Sequence, residues 1–172
     1  TMCSEITSQR VELSVGGDDV DVNYRTGGSG PPLVFLHGIG LDAATVSWRH
    51  ALPALADDRT VYAPDLPGHG KSDKPDRLYT TAYYREVVEA FLDAIDVAEP
   101  AITGLSMGGA LALGHALGGS NVERLVLVNS YGLGTDAIWR TAASGLLQTP
   151  LVGNMVWQGL STSKPAIRTG LR

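Results

Sequence analysis

The residue best suited to chemistry in this sequence is Ser106, which lies between two glycines in the pattern Gly-x-Ser-x-Gly. The short apolar run 101–105 predicts a buried strand before the serine, and 110–117 predicts a helix after it. A sharp turn from strand to helix needs small residues, because a Cβ atom at Gly104 or Gly108 would collide with neighbouring backbone. The turn places the Ser106 hydroxyl at a helix N-terminus, where free N–H groups favour developing negative charge. The pattern indicates a nucleophile; the alternative is a glycine-rich turn that packs a helix closely on a strand.

Two other glycine-containing loops follow predicted strands. Residues 37–40 read His-Gly-Ile-Gly and come directly after the apolar run 33–36. Residues 65–72 read Asp-Leu-Pro-Gly-His-Gly-Lys-Ser and come after the short strand predicted at 60–63. Both loops are rich in residues that favour tight turns, so each predicts an abrupt connection out of its strand.

The elements that must position these loops alternate between strand and helix. Residues 11–15 and 20–24 alternate apolar and polar side chains, which predicts an antiparallel hairpin at a sheet edge. Helices are predicted at 46–55 and from Thr80 onward, and a sixth strand at 124–128. Apolar strands separated by helices predict an α/β fold, in which a mostly parallel, doubly wound sheet carries helices on both faces.

Composition limits the classes of protein that this sequence can encode. The chain has 172 residues and a net charge of -5, which suit one sizeable core and argue against a nucleic-acid-binding surface. No apolar run is long enough to span a membrane, and the N-terminus lacks the pattern of a signal peptide. Cys3 is the single cysteine. We therefore expect no disulfide, no cysteine-based metal site and a cytoplasmic location.

Taken together, the three loops resemble those of the α/β-hydrolase fold family, in its branch with a serine nucleophile. The resemblance implies that Ser106 is the nucleophile. It also implies that the backbone N–H groups of Ile39 and Met107 bind the oxyanion, because donors fixed in this way match the tetrahedral intermediate better than the flat carbonyl. The residues that the resemblance assigns to the supporting motifs are His37, Gly38, Gly40, Gly104 and Gly108.

The activity that the resemblance implies is cleavage of an ester-like bond through an acyl-enzyme on Ser106. Carboxylesters, lactones and activated carbon–carbon bonds are all substrates in this branch, and the sequence does not separate them. A serine in place of an aspartate argues against epoxide or haloalkane hydrolysis. We expect a small, apolar, ester-like substrate and neither a metal nor an organic cofactor.

The partners that would activate the serine are missing from the sequence. A serine hydroxyl needs a histidine base and a carboxylate that orients the imidazole. In this fold the acid and then the histidine follow the nucleophile. Only His115 follows Ser106, and it lies inside the predicted helix, which carries it away from the hydroxyl. Asp136 is expected to cap the next helix. We therefore expect the acid and the base beyond Arg172.

The same reasoning predicts how the chain is organised. Residues 1–131 are expected to form the N-terminal part of a hydrolase core, and 132–172 part of a helical cap, because the family places its cap after the sixth strand. The sheet would then lack its later strands, so we expect self-association through the incomplete edge.

Two other interpretations stay open. Residues 38–43 fit Gly-x-Gly-x-x-Ala, and Asp65 ends the next strand, as in a dinucleotide-binding oxidoreductase. That interpretation leaves the hairpin, the 65–72 loop and Ser106 unexplained. A catalytically incomplete, hydrolase-like binding scaffold is the other alternative. A phosphate-binding P-loop ending at Ser72 is excluded, because Asp65 stands where that loop needs a glycine.

Overall fold

A computed structural model describes residues 5–133, which alternate between strands and helices. The strands of this part are β1 (Thr7–Val15), β2 (Asp18–Gly27), β3 (Pro32–Leu36), β4 (Thr60–Pro64), β5 (Ala101–Leu105) and β6 (Arg124–Val128). Its helices are α1 (Ala44–Ser47), α2 (Ala51–Leu55), α3 (Thr81–Ala94) and α4 (Met107–Leu117). Only the first two positions of the predicted cap at 132–172 are among the described residues. Asp136 lies outside them.

The strands form one mixed sheet in the order β1-β2-β4-β3-β5-β6. β1 and β2 make the predicted antiparallel hairpin, β2 is also antiparallel to β4, and β4, β3, β5 and β6 run parallel. The predicted α/β fold is therefore confirmed. Leu36 pairs with Gly104 across β3 and β5, and Gly104 pairs with Leu127 across β5 and β6. The carboxyl ends of these three strands consequently meet, and the loops after β3 and β5 leave the sheet side by side.

Helices cover both faces of the sheet, as predicted. On one face, α3 and α4 bury side chains such as Phe91 and Leu111 against the strands. On the other face, Trp48 and Leu52 pack with Phe35, whose ring centroid lies 5.1 Å from that of Trp48. Each of these side chains contributes about 1.5–3 kcal/mol when it leaves water. The two apolar layers hold the sheet between them, and the loops leave from the ends of its strands.

The single helix predicted at 46–55 is wrong, because two short helices, α1 and α2, occupy this region. Pro53 supplies the physical reason. In a continuous helix its ring would collide with the carbonyl of Arg49, and it has no N–H to donate. A new helix that begins at Ala51 places Pro53 in the first turn, where the missing N–H costs nothing.

The apolar strand β6 is exposed on one side. Leu125 and Leu127 pack on the core, but Val126 and Val128 are 44% and 38% exposed. Within residues 5–133 no element covers this side of β6.

In the same part of the chain, no helix has the length and apolar character that crossing a membrane requires. No group of three or more His, Cys, Asp or Glu side chains in the described residues is arranged to hold a metal ion.

Candidate active site

Ser106 connects the end of β5 to the start of α4 in a strained conformation. Its backbone has φ 52° and ψ -112°, a region that L-residues other than glycine rarely adopt. Two hydrogen bonds hold it there: the Ser106 N–H donates to the carbonyl of Val128, and the Tyr131 N–H donates to the carbonyl of Ser106, each at 3.0 Å. The residue is half-buried, so its side chain is still reached from solvent. The end of β6 thus clamps the turn that carries the serine.

The glycines on either side of Ser106 are required by packing, as the sequence predicted. A Cβ atom added at Gly104 would overlap the carbonyl oxygen of Gly108 and lie 2.6 Å from Cα of Gly109. One added at Gly108 would overlap the carbonyl oxygen of Leu36 and lie 2.6 Å from that of His37. All these obstacles are backbone atoms, which cannot rotate away. The first turn of α4 therefore packs directly on the end of β3.

This packing brings the loop after β3 against the serine. A Cβ atom built on Gly38 would lie 3.6 Å from Cβ of Ser106. Gly40 has φ +90°, a conformation that favours glycine, and the neighbouring Ile39 side chain is 68% exposed. Met107 is the first residue of α4. Neither the Ile39 N–H nor the Met107 N–H donates to any described residue.

The carboxylate of Asp42 holds this loop, a role that the sequence reasoning missed. The Gly38 N–H donates to Oδ2 of Asp42 at 2.7 Å, and the Ala43 N–H donates to Oδ1 at 2.8 Å. The Ser47 hydroxyl donates to the same carboxylate, at 2.6 Å to Oδ1 and 2.8 Å to Oδ2. The available signal was an aspartate within a glycine-containing loop, since aspartate side chains in turns often accept hydrogen bonds from nearby backbone N–H groups.

The loop at 65–72 is held by a second carboxylate. Asp65 is 2% exposed and accepts hydrogen bonds from Nδ2 of Asn23 and from the N–H groups of Ala44 and Lys71, at 2.9–3.0 Å. It therefore ties β2, the start of α1 and its own loop together. Because its oxygens are occupied inside the fold, Asp65 does not have the exposed position that the dinucleotide-binding interpretation needs.

His37 is also structural. Its Nε2 accepts the Leu66 N–H at 2.9 Å, so the proton resides on Nδ1, which donates to the Gly38 carbonyl at 2.7 Å. Burial lowers the pKa of this imidazole, and the hydrogen bond to Gly38 partly opposes that effect. The ring centroid of His69 lies 5.0 Å from that of His37. His37 thus joins the loop after β3 to the loop after β4, with both ring nitrogens occupied.

The other histidines do not serve Ser106 either. Nε2 of the exposed His50 accepts from the neighbouring Arg49 side chain at 3.0 Å. His115 is buried in α4, its Nδ1 has no partner in the described part of the chain, and burial lowers its pKa. All four histidines of the sequence lie within residues 5–133, and none of them is hydrogen-bonded to Ser106. Ser106 therefore has no histidine partner in the described part of the chain.

Comparison with known proteins gives consistent matches over this region. A profile of the alpha/beta hydrolase fold matches residues 31–151. An uncharacterised protein of Mycobacterium tuberculosis is 39% identical over 139 residues, which cover 75% of this chain and 40% of that protein. The 2-hydroxymuconate semialdehyde hydrolase of Pseudomonas sp. strain CF600 is 36% identical over 129 residues, which cover 70% of this chain and 46% of that enzyme.

A solved structure repeats the match in three dimensions. The 2-hydroxy-6-oxo-6-phenylhexa-2,4-dienoate hydrolase of Rhodococcus sp. strain RHA1 superposes with a TM-score of 0.68 and 28% identity, over 78% of this chain and 50% of that one. This chain therefore spans about half or less of the length of the proteins that it matches.

Proposed function

Because this chain belongs to the alpha/beta hydrolase fold family, we propose that it carries the nucleophile of a serine hydrolase. One observation carries the proposal: Ser106 has a positive φ at the start of α4, with Gly38 of the β3 loop against it. A sharp turn of this kind presents a side chain above the sheet edge, next to N–H groups that face outward. A packing turn alone has no need of a polar side chain in a strained conformation.

In the proposed reaction, Oγ of Ser106 attacks the carbonyl carbon of the substrate and passes its proton to a histidine base. The carbonyl oxygen becomes an oxyanion that accepts hydrogen bonds from the N–H groups of Ile39 and Met107. The base then gives the proton to the leaving group, which departs and leaves an acyl-enzyme. Water, deprotonated by the same base, attacks the acyl carbon; the bond to Oγ then breaks, and the base returns the proton to Ser106. Each step needs a base, which residues 5–133 do not supply.

We place this base and its orienting carboxylate in sequence that follows Arg172. Support comes from the lengths of the relatives, of which this chain covers 40% and 46%. The order nucleophile, acid, histidine also puts both groups downstream of Ser106.

The substrate class that we propose is a small apolar molecule with an activated carbon–carbon or ester-like bond next to a carbonyl. The names of two similar proteins, a hydroxymuconate semialdehyde hydrolase and a phenylhexadienoate hydrolase, favour a carbon–carbon bond. The side chains of Ile39 and Leu41, 68% and 63% exposed, add apolar surface to the loop beside the serine. They favour an apolar group near the reacting carbonyl.

Covalent labelling by a fluorophosphonate probe tests the nucleophile. The natural protein, including any sequence after Arg172, is treated with the probe and digested, and the modified peptide is identified by mass spectrometry. We expect modification on Ser106 and none in a Ser106→Ala variant. A full-length natural protein that is folded and is not labelled would contradict the proposal. Turnover of a dienoate and of a p-nitrophenyl ester by the natural protein without the probe then separates the two bond classes.

A second candidate, the hydrolase-like binding scaffold, is favoured by one observation, that no histidine of the sequence is hydrogen-bonded to Ser106. If the natural protein contains no histidine beyond residue 172, Ser106 should stay unlabelled. An apolar carbonyl compound should then perturb the NMR signals of the β3 loop without being consumed. Consumption of the compound would exclude the scaffold.

A further inference from the structure

Gly38 is held from both of its flanking peptide groups. Its N–H donates to Oδ2 of Asp42, and its carbonyl accepts from Nδ1 of His37, each at 2.7 Å. The Gly38 carbonyl and the Ile39 N–H belong to one planar trans peptide, so they point in opposite directions. A hydrogen bond that fixes this carbonyl therefore also fixes the direction of the Ile39 N–H.

The hydrogen bond from His37 alone would leave the loop free to rotate about φ and ψ of Gly38. Glycine has the widest range of φ and ψ, so the peptide before Gly38 could rotate against the peptide after it. Asp42 removes that freedom, because its carboxylate fixes the N–H of the first peptide. The carboxylate is itself anchored to α1 through the Ala43 N–H and the Ser47 hydroxyl. The orientation of the loop is thereby fixed relative to α1, which packs on the sheet.

We propose that Asp42 is a positioning residue that aims the Ile39 N–H at the oxyanion formed on Ser106. This inference rests on the proposed function. Its geometric part stands separately, since a Cβ atom on Gly38 would lie 3.1 Å from Oδ2 of Asp42 and 3.6 Å from Cβ of Ser106. The carboxylate of Asp42 and the side chain of Ser106 are thus both close to Gly38. Asp42 does not touch the substrate.

Three variants separate positioning from general stabilisation. Asp42→Ala removes the acceptor for the Gly38 N–H. Asp42→Asn keeps one oxygen that can accept from the Gly38 N–H, while its amide group takes the place of Oδ1, where it can donate to Oγ of Ser47 but no longer accepts from the Ala43 N–H. Ser47→Ala is the matched control, because it removes a donor to the carboxylate and leaves the bond from Gly38 in place. If Asp42→Ala does not fold, Asp42→Ser replaces it, because its shorter side chain still offers an oxygen to the Ala43 N–H and lacks the second oxygen that accepts from Gly38.

The first measurement does not depend on catalysis. Amide hydrogen exchange of Gly38 is measured by NMR in the natural full-length protein, together with the Ile39 amide signal. Loss of one hydrogen bond is expected to speed Gly38 exchange about tenfold in Asp42→Ala, since about 1.4 kcal/mol corresponds to a factor of ten. The Ile39 signal should broaden or split. Asp42→Asn and Ser47→Ala should remain within about threefold of the unmodified chain. Unchanged Gly38 exchange and Ile39 signal in Asp42→Ala would overturn the inference.

The second measurement is the rate at which a fluorophosphonate labels Ser106 in the natural full-length protein. Removal of an oxyanion donor lowers rates by about 100- to 1000-fold. In Asp42→Ala the Ile39 N–H is present but no longer held in position, so we expect the labelling rate to fall by about tenfold or more. Asp42→Asn should restore most of it, and Ser47→Ala should change it little. Labelling of Asp42→Ala at the full rate, or equal loss in Asp42→Asn, would overturn the positioning role. If no protein is labelled, the proposed function fails, and the exchange measurement alone decides whether Asp42 orders the loop.

Discussion

Substitution of Gly108 by alanine tests the close packing of α4 on β3 more directly than any other change. The added Cβ atom would overlap the carbonyl oxygen of Leu36 and lie 2.6 Å from the carbonyl oxygen of His37. Gly114, in the same helix, is the matched control. There a Cβ atom would meet the flexible Arg85 side chain at 3.5 Å, an ordinary contact. The same added methyl group is therefore forced into backbone at one site and accommodated at the other.

The expected difference in stability follows from two opposing effects. Alanine in place of glycine inside a helix stabilises by about 0.5–1 kcal/mol through the entropy of the unfolded chain. At Gly114 this effect acts alone. At Gly108 overpacking adds a cost of about 1–3 kcal/mol, and the upper value applies because only rigid backbone surrounds the new atom. Gly108→Ala should therefore destabilise by about 2 kcal/mol, and the two variants should differ by about 3 kcal/mol.

The free energy of unfolding of both variants is measured by urea unfolding, and their melting temperatures by thermal unfolding, each followed by circular dichroism. For a chain of this size the difference corresponds to a gap of about 6–12 °C in melting temperature. Gly108→Ala should also lower labelling of Ser106 by a fluorophosphonate in the full-length protein, because a displaced α4 moves the serine away from Gly38. If Gly108→Ala is as stable as Gly114→Ala, α4 does not pack on β3 as described, and the account of the site is wrong.

Three further predictions concern strain, pH and the sheet edge. Ser106→Gly should abolish labelling and raise the free energy of unfolding by about 1 kcal/mol, because glycine adopts a positive φ without strain; a loss of stability in urea unfolding would contradict this. Burial lowers the pKa of His37 and of His115, which faces Arg85, Glu89 and Asp93. The unfolded chain then takes up protons first, so stability should fall as the pH drops below about 6.5. His115→Leu should reduce the difference between urea midpoints at pH 7.5 and 5.5, and an unchanged difference would exclude His115 as a source. Exposed Val126 on β6 should promote self-association of the 172-residue chain, and Val126→Lys should reduce it in light scattering; a monomeric parent chain would refute that prediction.

Much of the architecture could be predicted from the sequence because it depends on local patterns. The alternation in 11–15 and 20–24 predicts a hairpin, and the apolar character of 33–36 and 101–105 predicts buried parallel strands. The need for glycine beside Ser106 is likewise local, since any strand-to-helix turn this sharp crowds its neighbours. Where two local signals competed, as at Pro53, the prediction was wrong about helix continuity.

The sequence by itself determined the type of fold, the position of the strained serine and the glycines that permit it, because these follow from periodicity and short-range steric exclusion. Only the tertiary structure decided what holds the site together. The bond from the Leu66 N–H to His37 and the bond from Asn23 to the buried Asp65 each depend on how strands are ordered in the sheet. Hydrogen bonds between separate loops leave no periodic trace in a sequence, since a single aspartate is equally compatible with a solvated surface. Strand order brings the ends of β3, β5 and β6 together, and that proximity turns isolated polar residues into a site.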